Sequence, residues 1–410
     1  MPAQSRMDTR AKTGLTVALC FVVALMEGVD LQSAGIAAPK MRPAFGLSQQ
    51  LLSFVLSAST FGLLIGALIG GRLADYIGRK RALLVSVMVF GAFSLGTTFA
   101  WDSNSLLALR LLTGLGLGGA MPNMIALVSE NSRAERRGLV LALMYCGMPL
   151  GGSLASLVSV FDIGDWRAVF YFGGVAPLLA TPLLWVLLPE SQGFASLGAG
   201  TQQTALRPGS FGHALFAEGR AAPTILLWLS YGLTLLVLYL LLSWLPTLLV
   251  SRGLSKPDAG LAQFGFNIGG ALGAVGIGWL MDRGRRWLTV LLTYAAMIAA
   301  LQLLAGTPPR LETALLYATL VGATIVGAQA IIYATAPACY ALGFRGTGLG
   351  AVIAAGRAGS VLGPLVAGQL LGSGQSPQQV LSNMVPVLLA GGVSAMLLVG
   401  RRASATPAST

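Results

Sequence analysis

The most prominent pattern in this sequence is a series of long apolar runs separated by short polar segments. Each run is about 19–26 residues long, and a helix needs about 20 apolar residues to cross a bilayer. We therefore predict an all-α integral membrane protein with twelve transmembrane helices, because runs of this length are too long for barrel strands. The runs cover residues 14–38, 51–71, 82–100, 104–128, 138–160, 167–188, 223–246, 258–281, 287–306, 312–336, 346–371 and 379–400.

Composition and charge agree with this class. Hydrophobic residues make up 55% of the chain and charged residues only 10%, whereas soluble domains carry about 25% charged residues. The net charge of +12 could suggest nucleic-acid binding, but the basic residues form short clusters between the apolar runs. With the N-terminus inside, 18 Lys and Arg fall in cytoplasmic segments and six in outer segments. The positive-inside rule therefore predicts that both termini are cytoplasmic.

The chain contains an internal repeat. The segment GRLAD at residues 71–75 is followed by Gly78, Arg79 and Lys80, and a degraded copy, GWLMD at residues 278–282, is followed by Arg286. We predict two pseudo-symmetric six-helix bundles, 1–188 and 223–402, joined by a cytoplasmic linker, 189–222, and followed by a cytoplasmic tail, 403–410. Repeated halves are typical of secondary transporters, whose substrate site lies near mid-membrane where the repeats meet.

The first apolar run contains two acidic residues, Glu27 and Asp30. Positions three apart share a helix face, and each charge at mid-membrane costs about 2.5–3.5 kcal/mol on insertion scales. One interpretation is a structural salt bridge, and the other is a polar cavity that handles a proton or a charged ligand. Arg110 lies at a depth comparable with Asp30, so the two can pair. Protonation would release the pair and couple a proton to a conformational change; the alternative is a permanent structural bridge.

Arg357 lies near the middle of the eleventh run. Its planar guanidinium matches a carboxylate, so we predict that it holds the substrate carboxylate, with Glu27 and Asp30 across the cavity. The alternative is an ion pair with those acids in the empty state. Six further polar residues inside the runs are candidates for substrate contacts, although each could equally be a helix-packing group: Asn123, Tyr145, Gln263, Asn267, Gln329 and Tyr333.

Other function classes lack sequence support. The only histidine is His213, and the three cysteines are far apart without metal-ligand spacing. No Walker motif, nucleophile elbow or soluble signalling domain is present, which argues against ATP as the energy source, a membrane enzyme and a substrate sensor. We expect no cofactor, with the proton motive force as energy source, and no nucleic-acid partner.

Several motifs carry a resemblance to a known family. The segment GRLADYIGRKR at residues 71–81 resembles the loop motif of the major facilitator superfamily, RLLTGLG at residues 110–116 resembles its fourth-helix motif, and Pro189-Glu190-Ser191 also fits. The motif EGVD at residues 27–30 resembles that of the aromatic acid:proton symporter family, which usually has Asp where this chain has Glu27. Residues 25–38 and 144–147 are similar to members of that family that carry 3-(3-hydroxyphenyl)propionate.

The resemblance implies further properties. It implies proton-coupled uptake of an aromatic carboxylate by alternating access, in a functional monomer of the bacterial inner membrane. It also implies a cytoplasmic latch formed by the loop motif and its copy, with residues Gly71, Asp75, Gly78, Arg79, Lys80, Glu130, Arg137, Gly278, Asp282 and Arg286. The alternative is a proton-driven exporter of the same fold, because GMPLGG at residues 147–152 partly resembles an antiporter motif.

Overall fold

The computed structural model describes residues 3–132, 137–190, 211–217, 219–283, 285–308, 310–340 and 345–403. This described part is helical and contains twelve segments long and apolar enough to cross a membrane, which confirms the predicted fold class. The chain is a multi-pass membrane protein. Its α-helices are α1 (Ala3–Ala44), α2 (Gln49–Ile77), α3 (Arg79–Thr97), α4 (Ser103–Glu130), α5 (Arg137–Tyr145), α6 (Gly147–Val160), α7 (Ala168–Leu187), α8 (Phe211–Phe216), α9 (Ala221–Ser251), α10 (Lys256–Asp282), α11 (Arg286–Gly306), α12 (Leu311–Thr335), α13 (Arg345–Gly372), α14 (Pro377–Ser382) and α15 (Met384–Ala403).

Most predicted spans agree with these helices to within a few residues, and the larger differences have local causes. Helix α1 begins at Ala3 and continues to Ala44 through two prolines, Pro39 and Pro43, instead of covering residues 14–38. The fifth span is divided into α5 and α6 at Cys146. Pro149 has no N–H to donate to the carbonyl four residues earlier, so the helix is interrupted there.

The chain divides into two compact units, Met1–Gln202 and Gln203–Thr410. The division falls inside the segment predicted as a linker, where α8 is a short helix. Equivalent pairs of helices pack in each unit. In the first unit α1 packs with α6, α2 with α4 and α3 with α7. The equivalent pairs in the second unit are α9 with α13, α10 with α12 and α11 with α15. The sequence repeat therefore has a counterpart in the packing of both units.

Glycine permits the closest of these helix contacts. A Cβ atom on Gly114 would lie 2.0 Å from the carbonyl oxygen of Ser59, so α4 and α2 touch backbone to backbone. Close approach through small residues is the usual way in which membrane helices associate. Large apolar side chains such as Leu68, Leu179 and Val186 are exposed, as expected of helices that are surrounded by lipid.

Candidate substrate and proton sites

The centre of the first unit contains a buried ion pair between α1 and α4. Arg110 Nη2 lies 3.3 Å from Asp30 Oδ2, and both side chains are 0% exposed. The same nitrogen also donates to the backbone carbonyl of Asp30 at 3.3 Å. The two sequence-predicted residues are thus brought together, with the guanidinium bonded to both the carboxylate and the backbone of α1.

Two serines complete this polar centre. Ser94 on α3 donates a short hydrogen bond to Asp30 Oδ1, and Ser59 on α2 accepts one from Arg110 Nε at 3.0 Å. The ring of Phe170 on α7 lies 5.1 Å from the Arg110 guanidinium carbon. Sequence reasoning missed Ser59 and Ser94, because a serine in an apolar helix carries no signal of its partner.

A glycine of α7 leaves room for the carboxylate. A Cβ atom on Gly173 would lie 3.2 Å from Ser94 Oγ and 3.3 Å from Asp30 Oδ1. These distances are tighter than ordinary van der Waals contact, so any larger residue would press on the bond between Ser94 and Asp30. Five spans of the first unit therefore converge on one buried charge pair.

Glu27 lies one turn before Asp30 on α1 and is also 0% exposed. Beside it, α1 packs tightly on α6, since a Cβ atom on Gly28 would lie 2.0 Å from the Met148 carbonyl oxygen. One turn further along α1, the amide of Gln32 covers Gly152. Gln32 is also buried. Unlike Glu27, it was missed by sequence reasoning.

The second unit has a polar centre of its own around Arg357 on α13. Arg357 Nη1 donates to the hydroxyl of Tyr239 on α9 at 3.0 Å. Nearby, the hydroxyls of Tyr231 on α9 and Tyr333 on α12 lie 2.7 Å apart. Tyr333 was a sequence candidate, whereas Tyr231 and Tyr239 were missed because tyrosine is common in apolar helices.

The other substrate-contact candidates lie in varied surroundings. Asn123 and Asn267 are buried, and each donates to a carbonyl one turn earlier on its own helix, at 2.8 Å and 3.0 Å. Gln263 is buried, while Tyr145 and Gln329 are half-buried. Their roles in substrate binding remain predictions.

The predicted latch residues of the first unit contact the end of α4 and the segment that follows α7. Gly78 joins α2 to α3 with a φ of +89°, a conformation that favours glycine. Arg79 forms an ion pair with Glu130 at the end of α4, and the N–H of Lys80 donates to Glu190 Oε1 at 3.1 Å. Glu190 therefore supplies the negative charge at the N-terminus of α3, which has no side-chain cap of its own.

The remaining latch residues show fewer contacts. The side chains of Asp75 and Arg137 lie outside the described residues. Asp282 and Arg286 are exposed, and neither forms an ion pair with another described side chain. A Cβ atom on Gly71 would meet no atom within 4 Å, and one on Gly278 would lie 3.8 Å from Ala330. The latch itself stays a prediction.

Comparisons with known proteins agree with this architecture. The sequence profile of the Major Facilitator Superfamily matches residues 20–276 and 227–410. The chain is 43% identical to the 3-(3-hydroxy-phenyl)propionate transporter of Escherichia coli K12 over 99% of both chains. It is 38% identical to a gallate transporter of Pseudomonas putida over 88% of this chain and 86% of that protein. A bacterial homologue of the human lysosomal transporter Spinster has a crystal structure that superposes with a TM-score of 0.74, at 18% identity, over 97% of this chain and 99% of that one.

Proposed function

The chain belongs to the major facilitator superfamily, whose members are membrane transporters rather than enzymes, and from this premise we propose that it takes up a hydroxylated aromatic carboxylate together with protons. The observation that carries the proposal is the full-length similarity to a 3-(3-hydroxy-phenyl)propionate transporter. The gallate transporter supports the same substrate class. The preferred substrate is 3-(3-hydroxyphenyl)propionate.

Arg357 is the proposed anchor for the substrate carboxylate. Its guanidinium can form two parallel hydrogen bonds with a carboxylate, and the Tyr239 hydroxyl already fixes one of its nitrogens. An anionic substrate would bring a negative charge to the depth of Arg357, where charge is otherwise costly.

Asp30 and Arg110 are the proposed proton-coupling pair, with Glu27 as a second carboxylate on the same helix. A proton on Asp30 would neutralise the carboxylate and remove its attraction to Arg110. The ion pair joins α1 to α4 through two side-chain atoms that lie 3.3 Å apart. Loss of that attraction would free these helices to move against each other. Because both side chains are fully buried, the proton can reach Asp30 only in a state that opens the bundle.

We further propose that the transporter lies in the bacterial inner membrane with both termini in the cytoplasm. Lys and Arg are concentrated in the segments that this orientation assigns to the inside, which supports it. It acts as a monomer by alternating access, uses the proton motive force and needs no cofactor.

The test is uptake of labelled 3-(3-hydroxyphenyl)propionate into sealed proteoliposomes, with an inward proton gradient and with the gradient collapsed by a protonophore. The wild type should accumulate substrate only with the gradient. Asp30→Asn should abolish accumulation at a temperature below its lowered Tm, where the variant is still folded in the membrane. Asp165→Asn, which alters an exposed ion pair with Arg167 in an outer loop, is the matched control and should accumulate normally. Full accumulation by Asp30→Asn would refute the coupling role.

The carboxylate anchor needs a separate measurement. Arg357→Lys keeps the charge but loses the planar fork, so the affinity for the substrate should fall about tenfold or more, as expected when a charged hydrogen bond is lost. Arg310→Lys, at an exposed position before α12, is the control. Unchanged affinity in Arg357→Lys would move the carboxylate site elsewhere.

The alternative function, export by a transporter of the same fold, is suggested by the sequence GMPLGG at residues 147–152. In the structure, Gly147 and Gly151 of this motif pack against the backbone of α1 at Phe21 and Leu25. Close helix packing therefore accounts for these glycines without a further role. Accumulation only under an outward proton gradient would favour export over uptake.

A further inference from the structure

Four side chains of the second unit form a group that we call the tyrosine cluster: Arg357, Tyr239, Tyr231 and Tyr333. Within the group, Arg357 donates a hydrogen bond to the Tyr239 hydroxyl at 3.0 Å, and the Tyr231 and Tyr333 hydroxyls are hydrogen-bonded to each other at 2.7 Å. The rings of Tyr231 and Tyr333 meet edge to face, with centroids 5.9 Å apart. Three helices, α9, α12 and α13, thus contribute to one polar and aromatic surface.

The cluster combines fixed and accessible members. Tyr231 and Tyr239 are only 4% and 6% exposed, whereas Tyr333 is 45% exposed. A Cβ atom on Gly356 would lie 2.3 Å from a ring carbon of Tyr231, so the α13 backbone holds that ring against α9. The buried tyrosine therefore fixes the hydroxyl of the accessible one.

The two hydrogen bonds lie along the same helix. Tyr231 and Tyr239 are eight residues apart on α9, which places their Cα atoms about 12 Å apart along the helix axis. Gly356, the neighbour of Arg357, packs against Tyr231, and the Arg357 side chain reaches from that level to Tyr239. The cluster thus offers a guanidinium and a hydroxyl pair on one surface.

The chemistry of a hydroxyl pair suits a third phenol. Each tyrosine oxygen can donate one hydrogen and accept others, so a ring hydroxyl can join the pair as donor or acceptor. An apolar pocket discriminates weakly between a ring and its hydroxylated analogue, whereas a site built to bond a hydroxyl rejects the analogue that lacks it. The proposed preference of this transporter for hydroxylated aromatic acids therefore calls for such a polar contact.

We propose that the Tyr231–Tyr333 hydroxyl pair is the subsite that recognises the ring hydroxyl of the substrate, and that Tyr239 is the residue that orients Arg357 for the carboxylate. This inference rests on the proposed function and assigns the two ends of the substrate to two parts of the tyrosine cluster. Tyr333 makes the direct contact, and Tyr231 positions it. The competing interpretation is that both hydrogen bonds only join helices.

The experiment compares two ligands that differ only in the ring hydroxyl, 3-(3-hydroxyphenyl)propionate and 3-phenylpropionate. Dissociation constants are measured by calorimetry on the full-length protein in lipid nanodiscs. The wild type should bind the hydroxylated ligand about 2- to 12-fold more tightly, which is the range for one neutral hydrogen bond. In Tyr333→Phe this ratio should fall to about one, with the affinity for 3-phenylpropionate unchanged.

Tyr239→Phe gives the complementary result. Both ligands should bind more weakly by a similar factor, about tenfold or more for a lost hydrogen bond to a charged group, and their ratio should be preserved. Tyr294→Phe is the matched control. Its hydroxyl also bonds to α9, through Ser230 at 3.2 Å and Thr234 at 2.8 Å, but it is outside the cluster, so neither affinity should change.

The outcomes separate this inference from the function on which it rests. Binding of both ligands with equal affinity by the wild type, or an unchanged ratio in Tyr333→Phe, overturns the hydroxyl subsite and leaves aromatic-acid transport standing. Binding of neither ligand by the wild type overturns the proposed function and this inference together. Should Tyr333→Phe fail to fold, Tyr231→Phe serves instead, because it removes the hydrogen bond that positions Tyr333. The ratio of the two affinities must then fall toward one in that variant.

Discussion

The buried pair of Asp30 and Arg110 allows its energetics to be tested without any knowledge of the substrate. At 3.3 Å and an effective dielectric constant of about 20, two unit charges attract each other by about 5 kcal/mol. Desolvation of both ions offsets much of this attraction, so the net worth of the pair is small. Removal of one partner is different, because it leaves the other charge buried and uncompensated, at a cost of about 3–5 kcal/mol.

We therefore predict that Asp30→Asn and Arg110→Gln are each strongly destabilising and that the double variant recovers most of the loss. The amide pair remains able to bond to Ser94 and Ser59, which meet the charged groups in the wild type. In a unit of about 200 residues, 3–5 kcal/mol corresponds to about 6–20 °C in Tm. The double variant should unfold within a few degrees of the wild type.

The assay is thermal unfolding of the detergent-solubilised protein, followed by intrinsic tryptophan fluorescence and by size-exclusion chromatography of heated samples. The three variants and the wild type form a double-mutant cycle, in which non-additivity reports the coupling between the two side chains. Additive losses, or a single variant that melts within about 1 °C of the wild type, would refute the conclusion that the two charges stabilise each other in a dry site.

Three further predictions concern other parts of the molecule. The larger side chain of Gly173→Val should press on the hydrogen bond that Ser94 donates to Asp30, so proteoliposome uptake against a gradient should fall at least about tenfold. Gly173→Ala should lose less uptake. Equal uptake by both variants would contradict this steric argument. Glu190→Gln should lower the free energy of unfolding of the first unit by about 0.3–1 kcal/mol, because α3 loses the anion at its N-terminus. An unchanged Tm at low ionic strength would contradict this prediction. Burial raises the pKa of Tyr340, which lies outside the spans, above its usual value of 10.0. The unfolded chain therefore releases this proton first, and stability falls as the pH rises above about 10. In thermal unfolding measured above about pH 10, Tyr340→Phe should show a smaller decrease of Tm with pH than the wild type. An identical decrease in both proteins would contradict this prediction.

The sequence alone determined the transmembrane architecture. Apolar length is a local property, so twelve spans could be located, most of them to within a few residues, before any contact was known. Charge inside an apolar run is also visible in sequence, which is why Glu27, Asp30, Arg110 and Arg357 stood out. The depth of each charge even suggested that Asp30 and Arg110 could pair.

Tertiary structure decided which neutral groups surround these charges. Ser94 and Gly173 meet Asp30 from helices that are distant in sequence, and neither residue type is unusual in a membrane helix. The tyrosine cluster was hidden for the same reason. Tyr231 and Tyr239 look like ordinary apolar residues until α13 and α12 bring Arg357 and Tyr333 against them.

The sequence thus determined how many helices cross the membrane and where charge is buried, because hydropathy and charge act along the chain with costs large enough to be read residue by residue. Only the fold decided which hydroxyls and glycines complete each site, because a hydrogen bond depends on distances of about 3 Å between helices. Those distances are set by packing over the whole unit, and local sequence does not encode them.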